Sequence, residues 1–568
     1  MPSSRPSTPD DAETRHVDKK PRLEVELEGA NAAPAQLDAP VEAMVLPPEE
    51  GEADGWAESL DSKRPSKKAA RKMARRAMAK GVLSMPEPYS TEHILFLEAK
   101  ELLGAEAVKA AEEGTARCVS PLPQYTELEL TVSAMSSIGE SLAVAPAPYP
   151  PWVVVTPFAL PGEVFRAKVY SQGFFYSRAD LIEIITPNPE LRDDSRVKCK
   201  YFTQCGGCQY QMLSYETQLD FKRNVVVKAY KTLSGLPDSE VPEVQPTIGS
   251  PLQYGYRTKI TPHFANPKPL IKKHGLPADG GKPDWLRIGF NKIGTRSAID
   301  IEDCPIATPV LNEALPRIRE DVVKNISTYP NGVSLLLRES LGSESASSKQ
   351  WAERMEETKI CVTDHNGTIR ERVGDMLFEY TAGNFFQNNN SVLVPLTSYV
   401  RDAIFAEAAP THLVDAYCGS GLFAIVLAPH FARVRGIELS ADAIRAAEAN
   451  AARNGLPADK VAFMAGDAAR IFDTVADFPR AETALIIDPP RKGSDAKFID
   501  QLVRFACGTV AYVSCNVHTQ ARDVGMILRR SAQVMQGKKY VLTSVRGFDL
   551  FPQTAHVESV AILKLVDA

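Results

Sequence analysis

The chain has 568 residues, and its 71 acidic and 65 basic side chains leave a net charge of −6. This length allows about three or four domains and excludes a single small module. The negative balance argues against a protein that coats nucleic acid through bulk positive charge, but it is compatible with a local basic patch. We expect an intracellular protein without a membrane anchor, in the nucleus, the cytoplasm or both. No apolar run approaches the roughly 20 residues of a membrane span, and the first residues carry no secretory signal.

Residues 1–115 are rich in Pro, Glu, Ala and Asp and show no lasting apolar period, so we predict that they are disordered. Within them, the stretch 63–80 contains nine basic residues and no acidic one. Pairs of basic residues recur every four positions, which would form one basic stripe on a helix. This arm is a candidate nuclear-import signal or RNA-steering arm, and the alternative is a solvated charged tail.

Residues 120–187 contain short alternating apolar runs broken by Gly and Pro, such as Leu128–Val132 and Val164–Val169. This pattern favours a small β-barrel. Residues 188–380 are mixed α/β with weaker signals, and they contain a cluster of cysteines. We interpret them as a separate central domain.

Residues 381–568 show the clearest pattern. Short apolar strands alternate with helical segments, and the strands are Leu413–Ala416, Val434–Glu438, Val461–Met464, Ala484–Asp488 and Val510–Ser514. One of the helices, Ala441–Asn454, has Ser440 as a predicted N-cap and Gly455 just past its end. The alternation predicts a doubly wound parallel sheet.

A glycine-rich loop, Asp415–Gly421, follows the first of these strands and opens a helix. Its two glycines would let the backbone approach a ligand at the carboxyl ends of the strands. Glu438 ends the next strand, where a carboxylate can bind a ribose diol. The loop also fits a dinucleotide or a plain tight turn. The carboxylate of Asp415 beside the loop, together with the rigid Asp488-Pro-Pro-Arg491 after the fourth strand, favours S-adenosylmethionine.

Cys515 closes the fifth strand and would project into the same crevice. A lone cysteine is often only a small buried hydrophobic residue. A catalytic function becomes attractive if the target is a pyrimidine, because its carbon 5 is a poor nucleophile. A thiolate that adds to carbon 6 turns the ring into an enolate whose carbon 5 can attack the methyl sulfonium. A base must then remove the carbon 5 proton so that the thiol can leave.

The candidate base is Glu558, at the start of the last apolar strand, Val557–Leu565. Burying a charged group in an apolar strand costs free energy, so a buried Glu558 would indicate a function. The alternative is a carboxylate at the surface or on an edge strand. His556 is the second candidate. Upstream, Phe385 and Phe386 could stack on a flipped base, or one of them could serve only as a core contact.

Five strings in this order resemble the uracil-5-methyltransferase family acting on tRNA and rRNA, over roughly residues 120–568: Gly383-Asn-Phe-Phe-Gln387, Asp415-Ala-Tyr-Cys-Gly-Ser-Gly421, Asp488-Pro-Pro-Arg-Lys-Gly493, Tyr512-Val-Ser-Cys-Asn516 and Phe551-Pro-Gln-Thr-Ala-His-Val-Glu558. The resemblance implies an α/β fold of the class I S-adenosylmethionine-dependent methyltransferase type. A small TRAM-like RNA-binding β-barrel and a mixed α/β central domain would precede it. The resemblance also implies Cys515 as nucleophile and Glu558 as proton acceptor. The S-adenosylmethionine-contacting positions would be Gln387, Tyr417, Glu438 and Asp488.

Four further cysteines form the candidate metal site, namely Cys199, Cys205, Cys208 and Cys304. Three of them are closely spaced, and the set resembles the rRNA branch of the family that carries an iron–sulfur cluster, so a [4Fe–4S] cluster is one expectation. A structural Zn²⁺ with four cysteine ligands is the rival. The third alternative is a set of free thiols, because the spacing between the first two cysteines is uncommon in zinc sites.

The expected partner is RNA, with Arg257 and Lys259 among the phosphate contacts. The long N-terminal extension and Cys205-Gly-Gly-Cys-Gln-Tyr-Gln211 resemble fungal members that modify uridine 54 in the T-loop of tRNA. The number of cysteines points instead to the rRNA branch. We predict tRNA as the substrate, with rRNA as the alternative. The sequence sets no oligomeric state, and a monomer is the expectation that we adopt.

Three other functions are compatible with parts of the sequence. A 5-methylcytosine enzyme usually has a second cysteine beside the proline of the fourth-strand motif, and Asp488-Pro-Pro-Arg491 has none. An amino-directed methyltransferase would need neither Cys515 nor Glu558. A non-catalytic RNA-binding or RNA-folding protein could retain the same fold, but the completeness of the motifs argues against it.

Overall fold

A computed structural model describes residues 85–113, 120–329, 331–342 and 358–568. The basic arm at 63–80 lies outside these residues. In the described part of the chain, no helix is long and apolar enough to cross a membrane.

Two helices, α1 (Thr91–Leu103) and α2 (Ala105–Glu113), lie in the N-terminal segment that the sequence predicted to be disordered. The prediction was therefore wrong over these residues. Helix α1 begins after Ser90, whose hydroxyl accepts a hydrogen bond from the backbone N–H of His93 at 3.2 Å. Its apolar side, which includes Leu95, is buried against the neighbouring barrel. The disorder prediction rested on the polar composition of the whole segment, and the apolar side of this short helix was too local to change it.

A closed five-stranded barrel follows, in the order β1-β2-β3-β5-β4, and it confirms the predicted β-barrel. Its strands are β1 (Glu127–Met135), β2 (Glu140–Val144), β3 (Val153–Pro157), β4 (Val164–Gln172) and β5 (Tyr176–Thr186). Buried and exposed residues alternate along β1, as expected for a strand with one face inside a barrel. Leu130, Trp152 and Phe165 are among the side chains that fill the interior.

The central region contains helices and small antiparallel sheets. Its helices are α3 (Tyr215–Leu233), α4 (Pro267–His274) and α5 (Pro309–Lys324). Its strands are β6 (Gln245–Ile248), β7 (Lys259–Ile260), β8 (His263–Phe264), β9 (Val333–Ser334), β10 (Leu337–Leu341), β11 (Lys359–Val362), β12 (Thr368–Val373) and β13 (Met376–Thr381). Strands β11, β10 and β7 form one sheet, while β12 pairs with β13 and β8 with β9.

The C-terminal region forms an eight-stranded sheet in the order β16-β15-β14-β17-β18-β20-β19-β6. Its strands are β14 (His412–Ala416), β15 (Arg433–Glu438), β16 (Val461–Ala465), β17 (Thr483–Ile487), β18 (Thr509–Ser514), β19 (Lys538–Phe548) and β20 (Glu558–Asp567). Its helices are α6 (Leu393–Phe405), α7 (Leu422–Leu427), α8 (Ala441–Arg453), α9 (Ile471–Thr474), α10 (Ala496–Phe505) and α11 (Val517–Val534). Strands β14 to β18 are parallel, and β20 runs antiparallel between β18 and β19. The predicted doubly wound sheet is confirmed.

Helices cover both faces of this sheet, which explains the nearly continuous apolar strands. Side chains alternate between the two cores along each strand. In β17, Leu485 belongs to one core and Ile486 to the other, and in β18 the same holds for Val510 and Ala511. The predicted helix after β15 is α8, and Ser440 caps it by accepting a hydrogen bond from the N–H of Ala443.

The sheet recruits elements from before the predicted domain boundary at residue 381. Strand β6 pairs with β19, and α3 contributes residues such as Val226 and Tyr230 to the core beneath the sheet. The methyltransferase region is therefore completed by part of the central region. The sequence could not indicate this because β6 is short and pairs with a strand about 300 residues later in the chain.

Candidate active site

The ends of four neighbouring parallel strands bring the predicted site residues to one edge of the sheet. Hydrogen-bond register aligns Ala416 of β14 with Ile437 of β15 and with Ile487 of β17, and Ile487 with Tyr512 of β18. The residues that follow these positions therefore lie along one rim. Tyr417, Glu438, Asp488 and Cys515 all lie at or just beyond strand ends on this rim. Ligands of open α/β sheets bind at this edge.

The glycine-rich loop turns sharply between β14 and α7. Tyr417 has a φ of 67° and Gly421 a φ of 92°, and both values lie in the left-handed region. A tyrosine adopts this conformation only where a constrained turn imposes it. The N–H of Gly419 donates to Oε2 of Glu438 at 3.3 Å, which ties the loop to the end of β15. A side chain at Gly419 would meet no atom within 4 Å, so the space above the loop is open.

Three carboxylates surround this loop. Asp415 is buried, and one of its oxygens accepts the N–H of Ala424 at 3.0 Å while the other has no hydrogen-bond partner. Burial raises the pKa of Asp415 to about 8, and the charges of Asp488 and Glu438 add to the rise. Burial also raises the pKa of Asp488 to about 7. A cationic ligand would relieve this crowding of negative charge, so the residues fit the sulfonium and amino groups of S-adenosylmethionine.

Cys515 and Glu558 face each other across the end of an antiparallel strand pair. Strands β18 and β20 pair so that Ser514 lies opposite Ser559. Cys515 directly follows Ser514 and Glu558 directly precedes Ser559, although 42 residues separate the two in the sequence. The charge of Glu558 raises the pKa of Cys515, so the two groups are close enough to interact. The register of β18 and β20 therefore brings the two predicted reactive groups to the same end of the strand pair.

The electrostatic surroundings of this pair favour its neutral forms. Burial raises the pKa of Cys515 to about 12, and the charges of Glu558 and Asp488 contribute to the rise. Burial raises the pKa of Glu558 to about 8, again with a contribution from Asp488. Arg491 opposes both shifts: it lowers the pKa of Cys515 through its charge and a hydrogen bond, and that of Glu558 through its charge.

Glu558 is only 1% exposed, and its Oε1 has no hydrogen-bond partner in the structure. A buried carboxyl oxygen without a partner is costly, and such groups concentrate at functional sites. His556, the second candidate base, is also buried. Its ring packs edge-on against Phe551 with centroids 4.9 Å apart, and burial lowers its pKa to about 3. The imidazole is therefore neutral and a poor proton acceptor compared with Glu558.

Gln387 lies at the end of a loop that Arg338 holds. Arg338 is fully buried, and it donates hydrogen bonds to the carbonyl oxygens of Ala382, Asn384 and Phe386 at 3.1, 2.6 and 3.5 Å. The Phe386 ring is buried in the core, as one interpretation of the aromatic pair predicted. The neighbouring Phe385 ring is 62% exposed. It is thus accessible from the solvent.

The four cysteines of the predicted metal site lie near one another without forming a metal site. Burial raises the pKa of all four thiols. The pKa values of Cys205, Cys208 and Cys304 are raised further by other members of the set. The described residues nevertheless include no group of three or more His, Cys, Asp or Glu side chains arranged to hold a metal ion. The structure does not support the predicted [4Fe–4S] cluster or its zinc rival.

Sequence analysis missed the functions of three residues at this site. Arg491 was recognised only as part of a motif, although a cation directly after two prolines at a strand end was a usable signal. Arg338 directly follows the apolar run Leu335–Leu337, which was also a signal. Lys222 gave none: it is fully buried in α3 and pairs with the buried Asp549, just before the segment that leads to Glu558.

The fold and the site together define a class I S-adenosylmethionine-dependent methyltransferase. The family model for tRNA (uracil-5-)-methyltransferases matches residues 349–566. The chain is 42% identical over 506 residues to the tRNA (uracil(54)-C(5))-methyltransferase of Schizosaccharomyces pombe, covering 88% of this chain and 87% of that protein. It is 38% identical to the Saccharomyces cerevisiae enzyme of the same description, covering 73% and 69%. The chain belongs to the tRNA (uracil(54)-C(5))-methyltransferase family.

A solved structure supports the fold independently. The tRNA (uracil-54, C5)-methyltransferase of Pyrococcus abyssi, in complex with S-adenosyl-L-homocysteine, matches with a TM-score of 0.53 at 23% identity. The match covers 77% of this chain and 99% of the archaeal one. It therefore extends well beyond the C-terminal sheet.

Proposed function

We propose that the protein methylates carbon 5 of uridine 54 in the T-loop of tRNA. The observation that carries this proposal is the pairing of Cys515 with Glu558 at the rim of the methyltransferase sheet. Membership of the family supports the choice of target nucleotide. An amino-directed enzyme would have no use for a thiol beside a buried carboxyl group, whereas methylation at carbon 5 requires both a nucleophile and a base.

Cys515 performs the first step. Its thiolate adds to carbon 6 of the uracil, forming a sulfur–carbon bond and placing negative charge on the ring as an enolate. Because burial raises the pKa of Cys515 to about 12, the thiolate needs help, and Arg491 is the cation that the structure places beside it. The thiol gives up its proton to solvent before the sulfur–carbon bond forms. S-adenosylmethionine, when bound, supplies the electrophilic methyl group that carbon 5 takes up.

Glu558 completes the reaction. As a carboxylate it takes the proton from carbon 5, the 5,6 double bond re-forms, and the bond between Cys515 and carbon 6 breaks to release the thiolate. Its unpartnered Oε1 is the free acceptor that this step needs. The raised pKa of about 8 makes Glu558 a stronger base than an ordinary carboxylate once it is ionised.

The cofactor-binding residues are proposed on their positions around the rim. Glu438 lies at the end of β15, where it would bind the ribose hydroxyls, and it is already fixed by the N–H groups of Gly419 and Ser440. Asp488, Tyr417 and Gln387 are the other proposed cofactor contacts. The open space above Gly419 leaves room for the ligand.

RNA contacts would come from the central region and the barrel. Lys259 has its pKa lowered to about 8 by burial and by the charges of Arg338 and Arg257. None of the carboxylates in the described ranges forms an ion pair with Lys259 or Arg257, so a phosphate group would be a suitable partner. The exposed ring of Phe385 could stack on the target base. The five-stranded barrel is proposed to bind RNA in the manner of a TRAM domain.

The test uses purified full-length protein, labelled S-adenosylmethionine and transcripts of tRNA and rRNA. We expect label in tRNA at position 54 and none in a tRNA with cytidine there. Transcripts containing 5-fluorouridine should form a stable adduct that survives denaturing electrophoresis, because fluorine cannot leave as a proton. Labelling of rRNA alone would overturn the choice of substrate, and an adduct that persists in Cys515→Ala would overturn the mechanism.

A further inference from the structure

The segment just before α1 contacts the C-terminal domain beside the site. The ring of Tyr89 lies over the guanidinium of Arg522, with 4.7 Å between the guanidinium carbon and the ring centroid. Arg522 belongs to α11, whose first residue follows Cys515 by two positions. Nothing in the proposed mechanism uses this contact between the N-terminal part of the chain and the catalytic helix.

Tyr89 is held in an uncommon backbone conformation. Its φ is 66°, which is rare for a bulky aromatic residue. The N–H of Tyr89 donates to Nδ1 of His93 at 3.2 Å, and the two rings meet edge to face. Burial lowers the pKa of His93, which keeps the ring nitrogen available as an acceptor. Such conformations persist where the surroundings determine them strongly.

Helix α1 is itself fixed to two neighbours. Glu98 accepts the N–H of Ser137 of the barrel at 2.9 Å, and its carboxylate lies 3.6 Å from the ammonium of Lys228 of α3. Glu101 forms a second ion pair with α3, to Lys231 at 2.8 Å. The helix that follows Tyr89 is therefore tied to both the barrel and α3.

Arg522 holds the loop that follows Arg491. It donates to the carbonyl oxygens of Lys492 at 2.9 Å and Ser494 at 3.3 Å, and it pairs with Asp523. Asp523 in turn accepts the N–H of Ser494 at 2.7 Å. The backbone of Lys492 to Ser494 is therefore bound at three points by adjacent residues of α11.

The contact between this loop and α11 is close. A Cβ added to Gly493 would lie 2.5 Å from a guanidinium nitrogen of Arg522 and 2.6 Å from an oxygen of Asp523. The carbonyl oxygen of Arg491 accepts hydrogen bonds from Asn516 at 2.9 Å and from Thr519 at 3.1 Å. A change in the position of Arg522 would therefore be transmitted to Arg491, which acts on both Cys515 and Glu558.

We propose that Tyr89 is a positioning residue for methyl transfer, and that residues 89–103 form a strap that keeps Arg522, and through it the loop 491–494, in place. This inference rests on the proposed function. The strap would make the rate of the chemical step depend on residues that precede the barrel and lie outside the methyltransferase sheet.

The test compares Tyr89→Ala with Tyr89→Phe, which keeps the ring over Arg522 and loses only the hydroxyl. We expect Tyr89→Ala to lower kcat about 10-fold and to leave KM for tRNA within about twofold, and Tyr89→Phe to behave as wild type. The rate of adduct formation with 5-fluorouridine tRNA should fall in parallel with kcat. Tyr89→Leu retains an apolar side chain over Arg522 but has no aromatic ring, and it should show the same loss of kcat. This variant serves as a control for a folding defect in Tyr89→Ala.

A double-mutant cycle separates positioning from general stability. In an Arg522→Ala background, Tyr89→Ala should change kcat by less than about twofold, because the contact is already lost. Additive losses would overturn the proposal, as would an equal kcat for wild type and Tyr89→Ala, or a rise in KM alone. If wild-type protein fails to methylate tRNA, the proposed function fails. If wild type is active and Tyr89→Ala is unimpaired, only the strap fails.

Discussion

The rim of the methyltransferase sheet and the cysteine loop of the central region illustrate two ways of placing reactive groups. At the rim, Tyr417, Asp488 and Cys515 each follow a strand, and backbone register brings them to the same edge of the sheet. The candidate metal ligands lie on irregular segments between Cys199 and Cys208 and at Cys304, and they approach one another without forming a metal site among the described residues.

The cysteine loop is held by its own hydrogen bonds. The side-chain oxygen of Gln211 accepts the N–H groups of Lys198 and Cys199, both at 3.1 Å, and the backbone N–H of Cys205 donates to the carbonyl oxygen of Tyr201 at 2.9 Å. Strand ends can be placed from sequence because register allows few alternatives. Loop residues are placed by such individual contacts, so spacing alone is a weaker guide to a site.

The largest effect is expected from Cys515→Ala. Removal of the nucleophile should lower methylation of tRNA by at least about 1,000-fold, which corresponds to roughly 4 kcal/mol of transition-state stabilisation, and should abolish the covalent adduct. Single-turnover assays and denaturing gels measure both. Cys361→Ser, a half-buried cysteine of β11 away from the rim, is the matched control and should retain activity. Equal losses in the two variants would contradict the assignment.

Glu558→Gln should lower turnover by roughly 100-fold while the adduct with ordinary tRNA accumulates, because the methylated intermediate cannot lose its carbon 5 proton. The measurement is the ratio of trapped complex to released product over time. Glu448→Gln, an exposed carboxylate of α8, should match wild type. Loss of turnover with no accumulation of adduct would mean that Glu558 acts before the addition step.

Replacement of Arg491 by Met should lower kcat/KM about 30-fold at neutral pH, because Arg491 lowers the pKa values of Cys515 and Glu558. Both groups react as anions, and burial raises both pKa values, so activity should rise with pH through about 8 in wild type. In Arg491→Met this rise should shift to higher pH. Arg491→Lys keeps the charge and should shift less. An unchanged pH profile would exclude the electrostatic function.

The Lys222–Asp549 pair tests how the central region supports the rim. Lys222 also donates to the carbonyl oxygen of Phe551 at 3.0 Å, at the start of the segment that leads to Glu558. Lys222→Met leaves a buried carboxylate without its cation and should lower the free energy of unfolding by about 3 kcal/mol and kcat about 10-fold. Adding Asp549→Leu should restore stability but not kcat. Recovery of both would show that the pair has no positioning function.

The smallest effect is expected at the cysteine loop. Treatment with iron and zinc chelators should leave kcat within about twofold, and so should Cys205→Ser, because the loop is stabilised by its own hydrogen bonds. Metal analysis of purified protein provides the check. If the protein contained stoichiometric iron or zinc and lost activity when the metal was removed, the cysteine loop would be a functional metal site, contrary to this prediction.

Sequence analysis predicted the barrel, the doubly wound sheet and the α8 helix with its cap at Ser440, because alternation, periodicity and capping residues are local signals. It placed the glycine-rich loop and Cys515 after the strands where they are found. It missed α1, because the apolar side and the Ser90 cap of this helix lie within a segment that is polar overall. It also began the methyltransferase region too late, at residue 381, and so excluded β6 and α3. Pairing between distant segments produces no periodic pattern in the sequence.

The sequence by itself therefore determined which residues end the strands and which chemical groups they carry, because strand periodicity and motif order are local features of the sequence. Only the tertiary structure decided that Glu558 lies opposite Cys515, that Arg491 acts on both, and that Tyr89 covers Arg522. These relations depend on antiparallel register, on burial and on contacts between segments far apart in the chain. The contacts between these segments contribute free energy only when the whole core forms.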